Sequence, residues 1–469
     1  MPESPAITEP VEPTPAPGRP KWFRPLLVGI AMLAALAVYL HGVFMASETA
    51  NLDSAKGNQS AYLQYAFKLK DSHWQFKTER NRMPALPMLL SVFVDKDWDW
   101  DTEFFPFAKT LCIVLSVLCL GAVAGGCAPV LGWRSGLLLT LLLAFTLYIF
   151  RAAYVQAEVL YYTSSGLAFI GALVLLRRPG WGLALALGVL FGLTHLVKAS
   201  ILPAVVLTVV ILAGRLLASI WSSRKAGGAI SPELVPLALS IVLVPAAYLA
   251  TIAPYLIHSK ALYGHAFYNV NSTFYIWQNN FQESKAFSSK YNDRRAYPAA
   301  PPEEIPSAGR YFTTTPPAKI RERLATGLSD QVENLRESHG APKYLIGLAM
   351  LGALLSWPMR GQWRAALGKH VWELLYAGGY LLGFGLLITF YAAIANGPRF
   401  TFTLYLPVLF LLFYWVTKLP EWRPAWFGKL RFPEWFGLRA LGVALMLIAL
   451  FRDVRVNLHD VLPTDFTGT

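Results

Sequence analysis

The sequence predicts an all-α polytopic membrane protein, with about 11 transmembrane helices and two large outer-face loops. Three observations carry that prediction. Of 469 residues 55% are hydrophobic and only 15% charged, whereas soluble domains carry roughly 25% charged residues. The mean hydropathy is +0.42, and apolar runs long enough to cross a ~30 Å hydrocarbon core at ~1.5 Å per residue recur along the chain. Lys and Arg fall unevenly on the two sets of connectors, which fixes one orientation.

The net charge of +13 would suit nucleic acid in a soluble chain. In a membrane chain it reports orientation instead, and no nucleic-acid partner is expected. Cys112, Cys119 and Cys127 lie on one apolar stretch, where a helix holds the first two roughly 10 Å apart, beyond disulfide reach. Neither a disulfide nor a metal site is expected. No cofactor is implied, although the sequence leaves a divalent metal requirement open.

Residues 1–24 read as a disordered cytoplasmic tail, rich in Pro, Glu, Thr and Ala, that ends on the interfacial anchor Lys21, Trp22, Phe23 and Arg24. Pro25 to Met45 is the first span, and no small-residue cleavage site follows it, so it is read as retained. Further spans are expected near 107–126, 131–150, 157–176, 181–197, 199–218, 234–257, 344–358, 371–394, 400–417 and 437–451. Residues 25–451 thus form the membrane domain and 452–469 an outer-face tail.

With the N-terminus inside, the inner connectors hold Arg134, then Arg177 and Arg178, then Arg215, Arg224 and Lys225. Arg360, Arg364 and Lys369 follow, and then Lys418, Arg423, Lys429, Arg431 and Arg439. The short outer connectors hold only Arg151, Lys198 and Arg399. Both long connectors, 46–106 and 258–343, then lie on the outer face.

The first of these contains NLDSAKGNQSAYLQYAFKLKDSHWQFKTERNRMPALP, from Asn51 to Pro87. It is far longer than the ~2–8 residues that join packed helices, and it reads as an active-site loop. A helix is expected from Gln59 to Leu69, with Tyr62, Tyr65, Ala66 and Leu69 on one face and Asn58 as its N-cap. Asp53, Glu48 and Glu158 are the outer carboxylates able to do acid/base work. For Glu158, which opens a span, the plainer role is to complement a helix dipole.

The positive-inside rule gives no reason for cations at the outer ends of spans. Snorkelling to headgroups accounts for Lys198 or Arg399 taken singly. Together with Arg80, Arg82, Arg151 and Arg310 they suit a phosphate cradle, because Arg and Lys make charge-assisted bonds to phosphate oxygens. The run Asp95, Asp97, Asp99, Asp101 and Glu103 resembles the start of a calcium loop but has Trp100 where Gly is required and Pro106 where Glu is. It reads instead as an interfacial loop with Trp at headgroup level.

The second long connector opens PYLIHSKALYGHAFYNVNSTFYIWQNN, aromatic and amide-rich, and suited to stacking on sugars and bonding hydroxyls. Its middle is Pro-rich and irregular, and an amphipathic helix is expected from Pro317 to Ser338. A segment this long without a fold of its own reads as a lid or acceptor-binding loop.

Several pieces of the chain resemble the GT-C superfamily of polyprenol-phosphate-dependent glycosyltransferases, especially the branch of protein O-mannosyltransferases and lipid A aminoarabinose transferases. They are SAYLQYAFKL and RNRMPALPMLLSVF in the first loop, QAEVLYY opening a span, GLTHLVKASILP, PYLIHSKALYGHAF, and NGPRFTFTLYLPVLF. The resemblance implies a GT-C-like fold and inverting transfer of a sugar from a polyprenyl-phosphate donor to a lipid, glycan or protein acceptor. The enzyme would be a multi-pass protein of the cytoplasmic (inner) membrane, with its active site on the extracytoplasmic face and a monomer expected. Where the family carries an acidic pair this chain has Asn58 and Gln59, so either Asp53 or Glu48 has taken the role of base or the chemistry differs.

A phosphate-linked sugar already has a good leaving group, and the enzyme mainly stabilises the departing charge. Lys198, Arg399, His258 and Arg310, with Arg80 and Arg82, are the candidates. Asp53 is the first candidate base and Glu158 the second. Asn58, Gln59, Tyr62, Tyr263 and Trp277 are candidates for holding acceptor or sugar. The competing class is a transporter or flippase of an anionic lipid-linked substrate. Such folds usually carry internal repeats, and none is visible here.

Overall fold

The computed structural model describes residues 23–55, 58–73, 79–225, 232–337 and 367–418, together with positions 350, 444, 447, 448, 451 and 452. Among them every regular element is helical. Helix α1 (Phe23–Thr49) is followed by α2 (Gln59–Asp71) and α3 (Ala85–Phe93) in the first long loop. Next come α4 (Phe105–Leu131), α5 (Trp133–Thr146), α6 (Glu158–Arg177), α7 (Trp181–Val197), α8 (Leu202–Lys225) and α9 (Leu234–Tyr263). The second long loop carries α10 (Val270–Thr273), α11 (Phe281–Tyr291), α12 (Ala308–Thr314) and α13 (Pro317–Glu337). After it come α14 (Val371–Tyr391), α15 (Pro398–Thr401) and α16 (Tyr405–Lys418).

Eight of the described helices are long and apolar enough to cross a membrane, and α7, at 17 residues, is a shorter apolar helix. The expected spans at 344–358 and 437–451 lie outside the described residues apart from the isolated positions, as do the tails at 1–22 and 453–469. Helix α1 shows the membrane pattern plainly. Leu26, Ile30 and Leu33 are exposed, while the stripe Tyr39, Val43 and Ala46 is buried. An exposed apolar face of that extent suits a helix facing lipid. On the buried stripe, the Tyr39 hydroxyl donates to Ser116 Oγ of α4 at 2.8 Å.

In lipid, helices associate through close packing rather than apolar transfer, and small residues allow it. The α7–α9 pair, the most extensive contact of the bundle, is built this way. Gly188 and Gly192 stand one turn apart on α7, and a Cβ at either would lie 2.5 Å from Val244 O or Thr251 Cβ of α9. Lys198, at the end of α7, inherits its position from this contact.

The first loop is a folded unit. Leu63 and Ala66 of α2, Leu86 and Leu90 of α3, and Phe104 and Phe105 form one buried cluster. The start of the Gln59 helix is where the sequence places it. Asn58 is not its cap: it has φ 66°, and its side chain makes no capping bond. Asn is one of the few residues that tolerate this left-handed conformation. The acidic run also differs from expectation. Asp99 caps a single turn at Trp100–Phe104 by accepting from the Asp101 and Thr102 amides, and the half-buried Trp98 and Trp100 pack inward on Phe67, Phe104 and Phe107.

The second loop departs more clearly from the expected irregular lid. Helix α9 runs to Tyr263, so His258 lies within it and the loop proper begins at Gly264. The loop has an aromatic core of its own, in which Tyr263, Tyr268, Phe274 and Tyr297 pack with Ile394. The amphipathic helix is present as α13, and it is bolted down. The Arg323 guanidinium donates to the backbone oxygens of Phe390 (2.9 Å), Gln278 (2.8 Å) and Ile276 (3.0 Å). It also lies 3.9 Å from the Phe390 ring centroid.

The two loops are joined to each other. Arg80 pairs with Asp293 and donates to the Tyr275 hydroxyl at 3.2 Å, while Tyr275 donates to Asp293 at 2.5 Å. The Val270 amide donates to Arg80 O at 2.8 Å. Asp293 is 4% exposed, and removing it leaves the Arg80 guanidinium and the Tyr275 hydroxyl without their shared acceptor, at a cost of about 1–3 kcal/mol. Asp293→Ala is therefore expected to loosen the loop pair, seen as faster tryptic cleavage at Lys285, Lys290, Arg294 and Arg295, while Asp293→Asn falls between the two. Unchanged cleavage in Asp293→Ala would show that the aromatic core alone docks the loops.

Candidate functional site

Four charged side chains meet where α6 begins, α7 ends and α15 begins. Glu158 is the first residue of α6 and 8% exposed. Its Oε2 is buried and accepts no hydrogen bond from a described residue. The segment that delivers it is braced by an amide pair. Asn51 Nδ2 donates to Gln59 Oε1 at 2.9 Å and to Ala153 O at 2.8 Å, Gln59 Nε2 returns a bond to Asn51 Oδ1 at 2.7 Å, and the Val155 amide donates to Gln59 Oε1 at 2.8 Å. Gln59 is fully buried by these contacts. Its partner Asn51 was not singled out from sequence, because an Asn in a polar loop gives no sign of a distant amide partner.

Lys198 occupies the break between α7 and α8, in an extended conformation with φ −159°. Its ammonium lies 5.3 Å from the Tyr161 ring centroid and 5.7 Å from that of Phe400. Burial pushes it below the ordinary lysine range. The Glu158 carboxylate opposes that shift, and Arg399 and Arg82 add to it. Arg399 stands in the short α15, entered through Gly397 at φ 140°, a backbone conformation open to glycine. The Tyr162 hydroxyl of α6 donates to Arg399 O at 2.6 Å, and the guanidinium rests 4.9 Å from the Phe400 ring centroid.

Arg82 reaches the same place from the first loop and lies 5.4 Å from the Tyr62 ring centroid, with its Nε buried and unbonded to described residues. Burial and then the Glu158 carboxylate push the Tyr62 phenol upward, against Arg82 and Arg399. Arg82, Lys198 and Arg399 thus converge on Glu158, two cations in formal surplus. Arg151 joins the rim, 5.7 Å from the Phe402 ring centroid, and its charge reaches Tyr162.

Other residues expected at the site lie elsewhere. Asp53 is exposed, and its Oδ1 accepts from the Ala55 amide at 2.8 Å in a local turn. Asn58 is exposed. Arg80 is committed to Asp293. Arg310 is exposed and donates to Glu303 O. His258 is half-buried on α9. Tyr263 stacks on Tyr268 with centroids 3.9 Å apart, and Trp277 packs against Tyr311, Phe312 and Phe390.

A second residue not singled out from sequence also positions the site at second hand. Asn396, just before Gly397 and Arg399, accepts from Asn334 Nδ2 at 2.6 Å on α13 and from the Gly397 amide at 2.7 Å. Helix α13 lies close enough there that a Cβ on Gly327 would overlap Thr389 O. The second loop therefore sets where Arg399 stands.

Comparison with protein-family models, with curated proteins and with solved structures finds no match to this chain.

Proposed function

We propose that the protein is an inverting glycosyltransferase that moves a sugar from a polyprenyl-phosphate donor to an acceptor at the outer face of the inner membrane, within a domain of about 11 spans. The observation that supports this best is a buried carboxylate oxygen, Glu158 Oε2, unengaged by described residues and set among Arg82, Lys198 and Arg399. Lys198 and Arg399 at the ends of membrane helices, with Arg82 from the first loop, suit a phosphate whose lipid tail stays in the bilayer. As the sugar–phosphate bond breaks, negative charge grows on the bridging oxygen, and fixed cations lower the energy of that state. The acceptor hydroxyl attacks from the opposite side of the sugar and gives its proton to a carboxylate, a contribution of about 100- to 10,000-fold.

Glu158 is assigned that proton in preference to Asp53, since it is buried at the site with an unengaged oxygen, whereas Asp53 is exposed and held in a local turn. Tyr62 and Tyr162 flank it, and both phenols feel its charge. The assignment predicts that Glu158→Gln lowers sugar transfer by roughly 100-fold or more while donor binding persists, and that Asp53→Asn is mild. Full activity in Glu158→Gln with a dead Asp53→Asn would reverse the roles. Donor binding with lipid translocation and no sugar transfer would replace the enzyme with a flippase.

Lys198 supplies a pH test. A phosphodiester keeps its single negative charge across the alkaline range, so a loss of donor affinity there reports on the protein. Because the folded pKa of Lys198 lies below the ordinary ~10.4, donor affinity is full below that depressed value and falls as pH rises through it. Lys198→Arg, which stays charged, is expected to carry binding to higher pH. Lys198→Ala should lose about 2–5 kcal/mol at neutral pH, read as a weaker Kd for the donor. A loss of affinity at the same pH in wild type and Lys198→Arg would remove Lys198 from the phosphate.

Orientation is tested separately. Cysteines placed at Ser72 and Ser307, both in described segments of the long loops, are expected to react with an impermeant thiol reagent from the outside of intact cells. Labelling only after the inner face is opened would invert the topology.

A further inference from the structure

A second polar concavity lies at the far end of α6. The helix starts at Glu158 and ends at Arg177 after 20 residues, about 30 Å away at the rise of an α-helix, one membrane thickness. There the end of α6, Arg215 of α8 and the start of α14 line a cavity of about 370 Å³, within the ~300–1,000 Å³ of small-molecule sites. Its charged lining is Arg177, Arg178, Arg215, Lys369, His370 and Glu373.

The carboxylates of this region are already engaged. Glu373 Oε1 lies 3.1 Å from His370 Nδ1, and Glu233 lies 2.7 Å from Arg215, whose side chain is only 13% exposed. Arg177 donates to the Tyr414 hydroxyl at 3.3 Å. Arg178 and Lys369 have no carboxylate partner among the described residues. Positive-inside residues placed only for orientation would be free to splay outward to separate headgroups. These come from three helices and line one concave space. Trp372 forms part of its wall, packed over Gly214 of α8, where a Cβ would stand 3.3 Å from the ring.

We propose that this cavity binds the phosphate of an anionic phospholipid headgroup in the leaflet opposite the Glu158 site. Arg178 and Lys369 supply the charge that selects it, and Arg215 and Trp372 shape the wall. Basic pockets between membrane helices hold anionic headgroups in this way. The site is separate from the catalytic proposal and stands or falls without it. Phosphate is the recognised group, and the bilayer supplies it as a headgroup at high local concentration.

The test uses the full chain in a non-ionic detergent. Retention of phosphatidylglycerol and of phosphatidylcholine is compared by native mass spectrometry, with and without inorganic phosphate as competitor. Wild type is expected to favour the anionic lipid roughly tenfold or more, and Arg178→Glu with Lys369→Glu to bring the ratio near parity. Arg134→Glu, an exposed cation outside the cavity, should leave it unchanged. If the double variant does not fold, Arg178→Gln and Lys369→Gln are each expected to give an intermediate ratio. Displacement of the lipid by millimolar phosphate would support the phosphate chemistry and assign its source to the free ion. No preference in wild type, or a loss in Arg134→Glu equal to that of the double variant, would overturn the site in favour of general surface charge.

Discussion

The burial of Glu158 is the constraint on which the site depends. A carboxylate removed from water costs several kcal/mol unless opposite charge or hydrogen bonds compensate it, and its Oε2 has no hydrogen bond from described residues. Opposite charge comes from Lys198, which the carboxylate attracts while Arg82 and Arg399 repel it, and all three cations are half-buried. Neither side of this arrangement is comfortable alone. The carboxylate stabilises the cations, the cations stabilise the carboxylate, and the surplus positive charge stays available to an anion.

Holding such a cluster requires that its members arrive on independent, rigid supports. Glu158 is delivered by the Asn51–Gln59 amide pair, which fixes the segment before α6. Lys198 is delivered by the close contact of α7 with α9 at Gly188 and Gly192. Arg399 is delivered by Asn396 under α13, and Arg82 by a loop tied through Arg80 to Asp293. Both long loops thus serve the same four charges, although they are far apart in sequence.

The spans were legible because lipid imposes length and composition on them directly. The described helices match nine of the expected runs, with boundaries that drift outward where polar ends continue the helix, as at α8 to Lys225 and α9 to Tyr263. The cluster was legible in part. Cations on connectors that the charge bias assigns to the outer face stand out against the positive-inside rule, and this is why Lys198 and Arg399 could be singled out. Pairing was not legible. Arg80 and Arg82 are two residues apart and look alike, yet one is neutralised by Asp293 and the other stands over Tyr62 within electrostatic reach of Lys198. Arg323, which donates to three backbone oxygens, reads in sequence as one more charge on an amphipathic helix. Such roles are set by partners tens to hundreds of residues away, and a linear pattern carries no trace of them.

Helix α6 connects these observations across the bilayer. Its first residue is the buried carboxylate and its last lines the basic cavity. Its middle is among the most buried of the spans, with Phe169 stacked on Tyr376 and tilted against Tyr380 of α14. A tightly packed interior transmits displacement poorly by bending and better by rigid shift. An occupant that draws Arg178 and Lys369 together would bear on the end of α6 and the start of α14 at once. Because Tyr162 of α6 also holds Arg399 O, any axial shift of α6 reaches both Glu158 and Arg399. The same packing that keeps the four charges in register thus joins them, through one well-packed helix, to the basic cavity at its other end.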